Sequence, residues 1–513
     1  MTKGLTAWKW FAVCTGCLYV GVASAQEASP VAPPPPVPPP APATPKVTAP
    51  ERELTMEEKV AAMQASQAEM AANLAAVQEK LAAAEADKQT IETLNQQVVD
   101  LSKKLDEATA ANIAANEEMK QEIASFAPSK GFKITGPGDS YLTIGGLLQT
   151  RIETTKDGTP NGSSWDWDSY LRRIRLMAYG QINKWINFFI ETDNPNLGKK
   201  GSWSGAMFIQ DAYMEINLAR AFQIDLGMLL PPFSHHGMQA ATSLLGMDYH
   251  SGLIKYPVGS NLVWRDAGLM VRGLFAGDHV EYRLAVLNGV RGAAAEGDRN
   301  PEDLPRLTMR WTFNVFDAEG GPGVGGMFYD GLYLTKTDDG IASAKRVLSF
   351  GISGDWQRDL NVTLDPVSGS VVSRDDYAAA AWDVFFDIPV GDRKLVSING
   401  QVNGYFYYYG DRTARINEIS YYDVNSDTGS YTGVGISSEL GVRWNWLQPV
   451  IIADFYKSLL SEADLGDYKA FYGGFNAYVF GHATTFKLQG GAENRNGATD
   501  WSPSVRLQAQ LVF

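Results

Sequence analysis

Charged side chains that could act on a solute recur at every second position of short segments. Arg151, Arg173, Arg175, Arg272, Arg283, Arg306, Arg310 and Lys487 follow this pattern, and Arg443 and Arg506 share it. Guanidinium and ammonium groups ranged on one face of a sheet attract anions, and low-dielectric walls focus their field. Acids fall on the same face, among them Glu153, Glu191, Asp193, Asp211, Glu215, Asp266, Glu281, Glu439 and Asp454. The two sets nearly balance, so placement and not the sum decides what the face favours. Arg272, Arg283, Arg306 and Arg310 stand on three consecutive segments, and Arg173 with Arg175 on another. Each also has a structural reading, as half of an ion pair with an acid on a neighbouring segment.

Catalytic and metal-binding patterns are weaker. Of the five histidines, His235, His236 and His250 share one expected loop, residues 231–263, while His279 and His482 stand apart. No acid lies at ligand spacing from the three, so a polar loop is the plainer reading and no metal site is expected. Asp454 and Glu493 read as single carboxylates on separate segments, and no Ser, His, Asp order stands out. An enzyme would need a nucleophile and a base converging on one wall. None is expected, and no cofactor.

The elements that must position these residues fall into zones. Lys3 and Lys9 precede an apolar run at residues 11–22, and Ala23-Ser24-Ala25 fits a peptidase site, so residues 1–25 read as a secretory signal with cleavage before Gln26. Both cysteines, Cys14 and Cys17, lie in that run. The mature chain then has no thiol and no disulfide. Residues 26–50 are dominated by Pro and Ala and should extend as a polyproline II spacer, about 3.1 Å per residue. Residues 51–126 hold no Gly or Pro. Apolar residues recur there in two frames: Met56, Val60, Met63, Met70, Leu74, Val77, Leu81, then Ile91, Leu94, Val98, Leu101, Leu105, Ala108, Met119. The frame slips near Lys88. Such heptads argue for an α-helical coiled coil, a rod of about 110 Å whose seam needs partner helices.

From about residue 130 the period becomes two. In the last segment Leu507, Ala509, Leu511 and Phe513 alternate with Arg506, Gln508 and Gln510. Sixteen segments of this kind can be counted between residues 141 and 513, with connections that alternate short and long. The net charge of −14 removes a nucleic-acid footprint, and no apolar run of about 20 residues follows the signal. The pattern predicts an all-β transmembrane β-barrel of about 16 antiparallel strands over residues 127–513, with short turns in the periplasm and long loops outside. Residues 315–346 contain a strand-like piece, but an odd strand would put one terminus outside. They read as a long periplasmic connection or an extension of the next strand, with eighteen strands as the alternative. Trp185, Trp264, Trp311, Trp382, Trp444, Trp446 and Tyr407-Tyr408-Tyr409 stand mostly at segment ends, where lipid interfaces place aromatics.

Four segments resemble the phosphate-selective porin O and P family. They are Gly227-Met228-Leu229-Leu230-Pro231-Pro232-Phe233-Ser234, Arg265-Asp266-Ala267-Gly268-Leu269-Met270-Val271, Tyr282-Arg283-Leu284-Ala285-Val286-Leu287-Asn288-Gly289, and the earlier Asp211-Ala212-Tyr213. The resemblance covers roughly residues 135–513. It implies a sixteen-stranded outer-membrane trimer for passive entry of small solutes, often anions. Leu229-Leu230 stands where many members carry a lysine, which argues against strict phosphate selectivity. Arg151, Arg173, Arg175, Arg272, Arg283, Arg306, Arg310 and Lys487 become the candidate pore-lining residues. Residues 231–263 become the loop that narrows the lumen; since that loop holds only Asp248 and Lys255 as charges before Arg265, the wall must supply the rest. The expected partners are outer-membrane lipid, two further copies of the chain, small anions or other small solutes, and the barrel-assembly machinery through the terminal Phe513. A cell-wall contact through the Pro-rich tip is the last. The second reading is structural: the coiled coil and Pro-rich tip would space or tether the envelope.

Overall fold

The computed structural model describes residues 56–83, 88–127, 130–156, 165–250, 252–255, 264–290, 300–321, 326–364, 370–409, 432–459, 466–496, 498 and 500–513. The signal, its cleavage site, both cysteines and the Pro-rich spacer lie outside the described residues. Two compact units are present, divided between Glu122 and Ile123.

The first unit is helical, as a stretch rich in Ala, Glu, Gln and Lys without Gly or Pro favours. Helix α1 spans Met56–Ala83 and α2 spans Lys88–Ile123. Glu57 and Glu58 stand in the first turn of α1 and Lys80 in its last, each complementing the helix dipole. Val60, Met63, Met70, Leu74, Val77 and Leu81 on α1, and Ile91, Leu94, Val98, Leu101 and Leu105 on α2, are half-buried, whereas most of their neighbours are exposed. These are the two apolar frames. They do not form one continuous rod. The Gln67 side-chain amide donates to Thr109 Oγ1 at 2.5 Å, across 42 positions. In a straight helix those residues would stand about 63 Å apart. The two helices therefore lie side by side, and each stripe meets part of its partner within its own chain. No described helix is long and apolar enough to cross a membrane.

The second unit is a closed antiparallel barrel. Strands β1 (Ala124–Ala127) and β2 (Gly131–Thr135) lead into the wall. Its first half runs β3 (Tyr141–Lys156), β4 (Trp165–Asn183), β5 (Ile186–Asp193), β6 (Phe208–Ala219), β7 (Phe222–Leu229), β8 (Asp266–Phe275), β9 (Val280–Leu287) and β10 (Arg306–Asn314). A hairpin of β11 (Leu334–Thr337) and β12 (Gly340–Ser343) intervenes. The second half runs β13 (Val347–Leu364), β14 (Val371–Val390), β15 (Val396–Tyr408), β16 (Gly433–Trp444), β17 (Leu447–Ser458), β18 (Tyr468–Phe480), β19 (Thr484–Arg495) and β20 (Ser502–Val512). Each wall strand pairs with the next, β10 pairs directly with β13, and β20 returns to β3. The wall has sixteen strands, and residues 315–346 are a connection that adds none.

Period-two alternation sorts the side chains. In β16, Val434, Ile436, Leu440, Val442 and Trp444 are exposed to the outside, while Ser437, Glu439 and Arg443 are buried within the barrel. Trp185, Trp382 and Trp446 also face out. Three aromatics expected at the lipid interface do not. Tyr407 and Tyr409 join Phe233, Tyr377 and Tyr456 in an apolar cluster inside the barrel, and Trp264 packs on Tyr249. Alternation places an aromatic on a face but cannot tell a lipid belt from a filled lumen.

The seam is closed by the chain's end. Phe513 and Gly146 exchange backbone hydrogen bonds at 2.7 and 3.0 Å. A Cβ at Gly145 would come within 2.8 Å of the Phe513 carbonyl oxygen, and one at Gly146 within 2.5 Å of its ring. Two adjacent glycines are what allow the last residue to lie against the first wall strand.

Candidate functional site

The loop after β7 enters the lumen instead of arching over it. Pro231 and Pro232 follow the strand. Ser234 then takes φ 62 and ψ 153, a backbone state that costs a non-glycine residue about 1–3 kcal/mol. The turn is held locally: Ser234 Oγ accepts from the Gly237 amide at 3.1 Å, and the Tyr405 hydroxyl lies 3.3 Å from it. One helical turn, α3 (His235–Met238), follows, with all four residues buried. Further on, Lys487 donates to the carbonyls of Leu244 and Gly246, and Arg151 to that of Met247. The connection 315–346 rises to meet the loop from the other end. Tyr329 donates its amide to the Met238 carbonyl at 3.1 Å and accepts from the Ala240 amide at 3.0 Å. Its ring stacks on His235 with centroids 4.7 Å apart. Two segments from opposite ends of the barrel thus join inside it.

At the long-loop mouth this leaves a cavity of about 360 Å³, lined by nine basic and seven acidic side chains. Asp248, on this loop, holds a carboxylate among four arginines. Its oxygens lie 2.5 Å from Arg151, 2.9 Å from Arg172, 3.8 Å from Arg506 and 4.0 Å from Arg173. Burial alone would raise the Asp248 carboxyl, but Arg151 and Arg172 outweigh it and hold it well below the usual carboxylate range.

All eight candidate residues point into the barrel, but into different settings. Arg151, Arg173 and Arg175 line the cavity. Arg272, Arg283, Arg306 and Arg310 lie outside that cavity, each paired with an acid, which is the structural alternative to an anion ladder. Arg272 bridges Glu215 and Asp225, Arg306 bridges Asp355, and Arg310 bridges Asp383 at 2.6 Å. Arg283 pairs with Glu281 at 2.6 Å and donates to the carbonyls of Gly326 and Met327, which anchors the 315–346 connection. Lys487 is likewise spent on the loop backbone. Asp454, read as a lone carboxylate, touches His250 at 2.6 Å. Arg172 escaped the alternation for a physical reason. The β3–β4 register passes from Gln149↔Arg173 to Thr150↔Leu171, so Arg172 is the extra residue of a β-bulge. A bulge turns to the lumen a side chain that strict alternation assigns to lipid.

Residues 150–395 match the family model described as phosphate-selective porin O and P. Over these residues the chain is similar to that porin family. Among solved structures, the outer membrane channel DcaP of Acinetobacter baumannii is similar at 15% identity, covering 75% of this chain and 100% of its own, with a TM-score of 0.44. An anion-selective porin from Comamonas acidovorans is similar at 10% identity, covering 73% and 100%, with a TM-score of 0.46. At these scores neither likeness says anything of what this chain carries. No curated protein matches.

The barrel lumen also gathers the histidines with wall acids that are remote in sequence. His235 lies between Phe385 and Tyr329, with Nδ1 3.1 Å from Gln401 Oε1 and Nε2 2.6 Å from Glu319. His236 and His250 lie with ring centroids 3.9 Å apart. The His250 ring stands between Asp454, 2.6 Å from Nδ1, and Glu439, 3.3 Å from Nε2. Burial opposes charge on both rings. It leaves His236 well below its ordinary value, while Asp454 and Glu439 outweigh it at His250 and lift that ring to about 10. The acids come from β16 and β17, so no local spacing could have revealed them.

Proposed function

We propose that this porin is an outer-membrane channel for small hydrophilic solutes with a preference for small anions, working as a homotrimer. The observation that carries the reading is the set of four arginines around Asp248. A carboxylate held there stands where a permeating carboxylate or phosphate would be drawn, and an excess of guanidinium over carboxylate around it favours negative charge. The family match over residues 150–395 supports the channel; the arginines support its preference. Passive entry needs no cofactor and no catalytic group. The helical unit serves as a periplasmic coiled coil that helps hold copies together, and the Pro-rich segment as a spacer that could reach the cell wall. Phe513, the terminal aromatic of an alternating strand, serves as the recognition signal for the barrel-assembly machinery. The test is reconstitution in a planar bilayer under a salt gradient. A reversal potential displaced toward the anion's equilibrium value supports the reading. One on the cation's side refutes the preference while leaving the channel standing.

A further inference from the structure

We propose that His236 and His250 on the in-folded loop and Glu439 on the wall form a binding site for a first-row divalent transition-metal ion of the zinc type, backed by Asp454. One ring nitrogen of each histidine and one carboxylate oxygen of Glu439 lie within 4.8 Å of one another. The second observation is an absence of aligned hydrogen bonds. His250 Nε2 and Glu439 Oε1 are both buried, face each other at 3.3 Å, and have no hydrogen-bond partner among the described residues. Asp454 Oδ1, 2.6 Å from the other nitrogen of the same ring, is likewise out of line for a hydrogen bond. Leaving such groups unpaired away from water is costly.

An ion between Nε2 and Glu439 removes that cost and neutralises the two acids together. Asp454 then stands behind the ring on its Nδ1 side, the place from which a carboxylate orients a metal-bound imidazole. Glu439 is already held from the far side, its Oε2 accepting from the Gln401 amide at 2.8 Å. Two imidazoles and one carboxylate suit Zn²⁺ and its neighbours, whereas Ca²⁺ and Mg²⁺ prefer oxygen alone. His236 is the weaker ligand. Its Nε2 accepts from the His250 amide at 3.0 Å and its Nδ1 faces Gln401 at 3.0 Å, so binding breaks an existing bond. His250 and Asp454 line the mouth cavity, which gives the ion a route in. Once bound, it ties the narrowing loop to β16 and β17.

The test uses the full mature chain without an affinity tag, stripped with a chelator and titrated with Zn²⁺ by calorimetry in detergent. Co²⁺ absorption reports the ligand field. One ion per chain is expected, with a visible Co²⁺ band of low-symmetry nitrogen and oxygen ligation. Glu439→Gln, which keeps shape and removes charge, should lose at least 100-fold in affinity, and His250→Gln as much. His236→Ala should lose at least tenfold and Asp454→Asn about 10–100-fold. Variants count only if they keep the wild-type heat-shifted band on gels. His279→Ala, remote from the cluster, should bind as wild type. A wild-type chain that takes up less than a tenth of an equivalent overturns the proposal and leaves His250 as an ion-paired clasp. Uptake undiminished by Glu439→Gln overturns it as well. Neither result bears on whether the barrel conducts.

Discussion

Asp248 competes, residue for residue, with whatever anion enters the mouth. Its carboxylate accepts hydrogen bonds from Arg151 and Arg172 and stands within reach of Arg173 and Arg506. Asp248→Asn should therefore raise anion over cation permeability, read as a reversal potential moved further toward the anion's value. The difference should shrink in 1 M salt, where the screening length is about 3 Å. Arg172→Gln should move it the other way, because Arg172 is cavity-lining and half-buried. The barrel's paired arginines should behave differently. Arg272→Gln leaves Glu215 and Asp225 both buried without the guanidinium they share, a loss of about 3–5 kcal/mol for a broken buried pair. It should lower the urea midpoint of unfolding from vesicles and leave the reversal potential where it was. A shift in selectivity with unchanged stability would show that this pair is open to the solute path.

At the scale of elements, the narrowing is a joint between the 230–265 loop and the 315–346 connection. Tyr329 is its pin: two backbone bonds to the loop, a stack on His235, and a hydroxyl 3.1 Å from both Arg310 and Thr312. Tyr329→Ala, which keeps the backbone bonds but removes the stack and the hydroxyl contacts, should loosen the loop and raise single-channel conductance, with more current noise, while the sixteen-stranded wall persists. Much of this was legible. Alternation and the rhythm of short and long connections gave the strand number, and parity kept residues 315–346 out of the wall. What alternation could not supply was partner identity. It put Arg272 and Arg151 on the same inner face, and only the register places one beside Glu215 and the other beside Asp248. The bulge at Arg172 and the acids opposite His250 stayed hidden for the same reason, because both depend on pairing between segments distant in the chain.

At the scale of the molecule, the helical unit has its apolar stripes only half covered. The seam that sequence assigned to other chains is shared, part with the chain's own second helix and part still open to water. A peptide of residues 51–126 should therefore self-associate in sedimentation equilibrium. Its helicity by circular dichroism should already be substantial at the lowest concentrations, because one contact is internal. A species that stays monomeric at high concentration would remove the helices from the account of assembly. Residues 123–513 alone should then form trimers as durable as those of the full chain.

The seam at Gly146 and Phe513 sets the order of events in time. Across it Gln149 donates to Gln510, 361 positions away, and Arg151 to Gln508, 357 positions away. Bringing such distant ends together costs about 5 kcal/mol in loop-closure entropy, and nothing offsets that cost until the final strand is present to pair with β3. The wall can therefore zip from hairpin to hairpin, but it cannot shut before β20 is made. Until then the growing end and the part of β3 beyond its pairing with β2 are bare edges, ready to pair with any other strand. Deleting Phe513 should lengthen that exposed interval. Pulse-labelled chains lacking it should acquire the heat-shifted form more slowly and lose more material to aggregates, even though every residue of the lumen is intact.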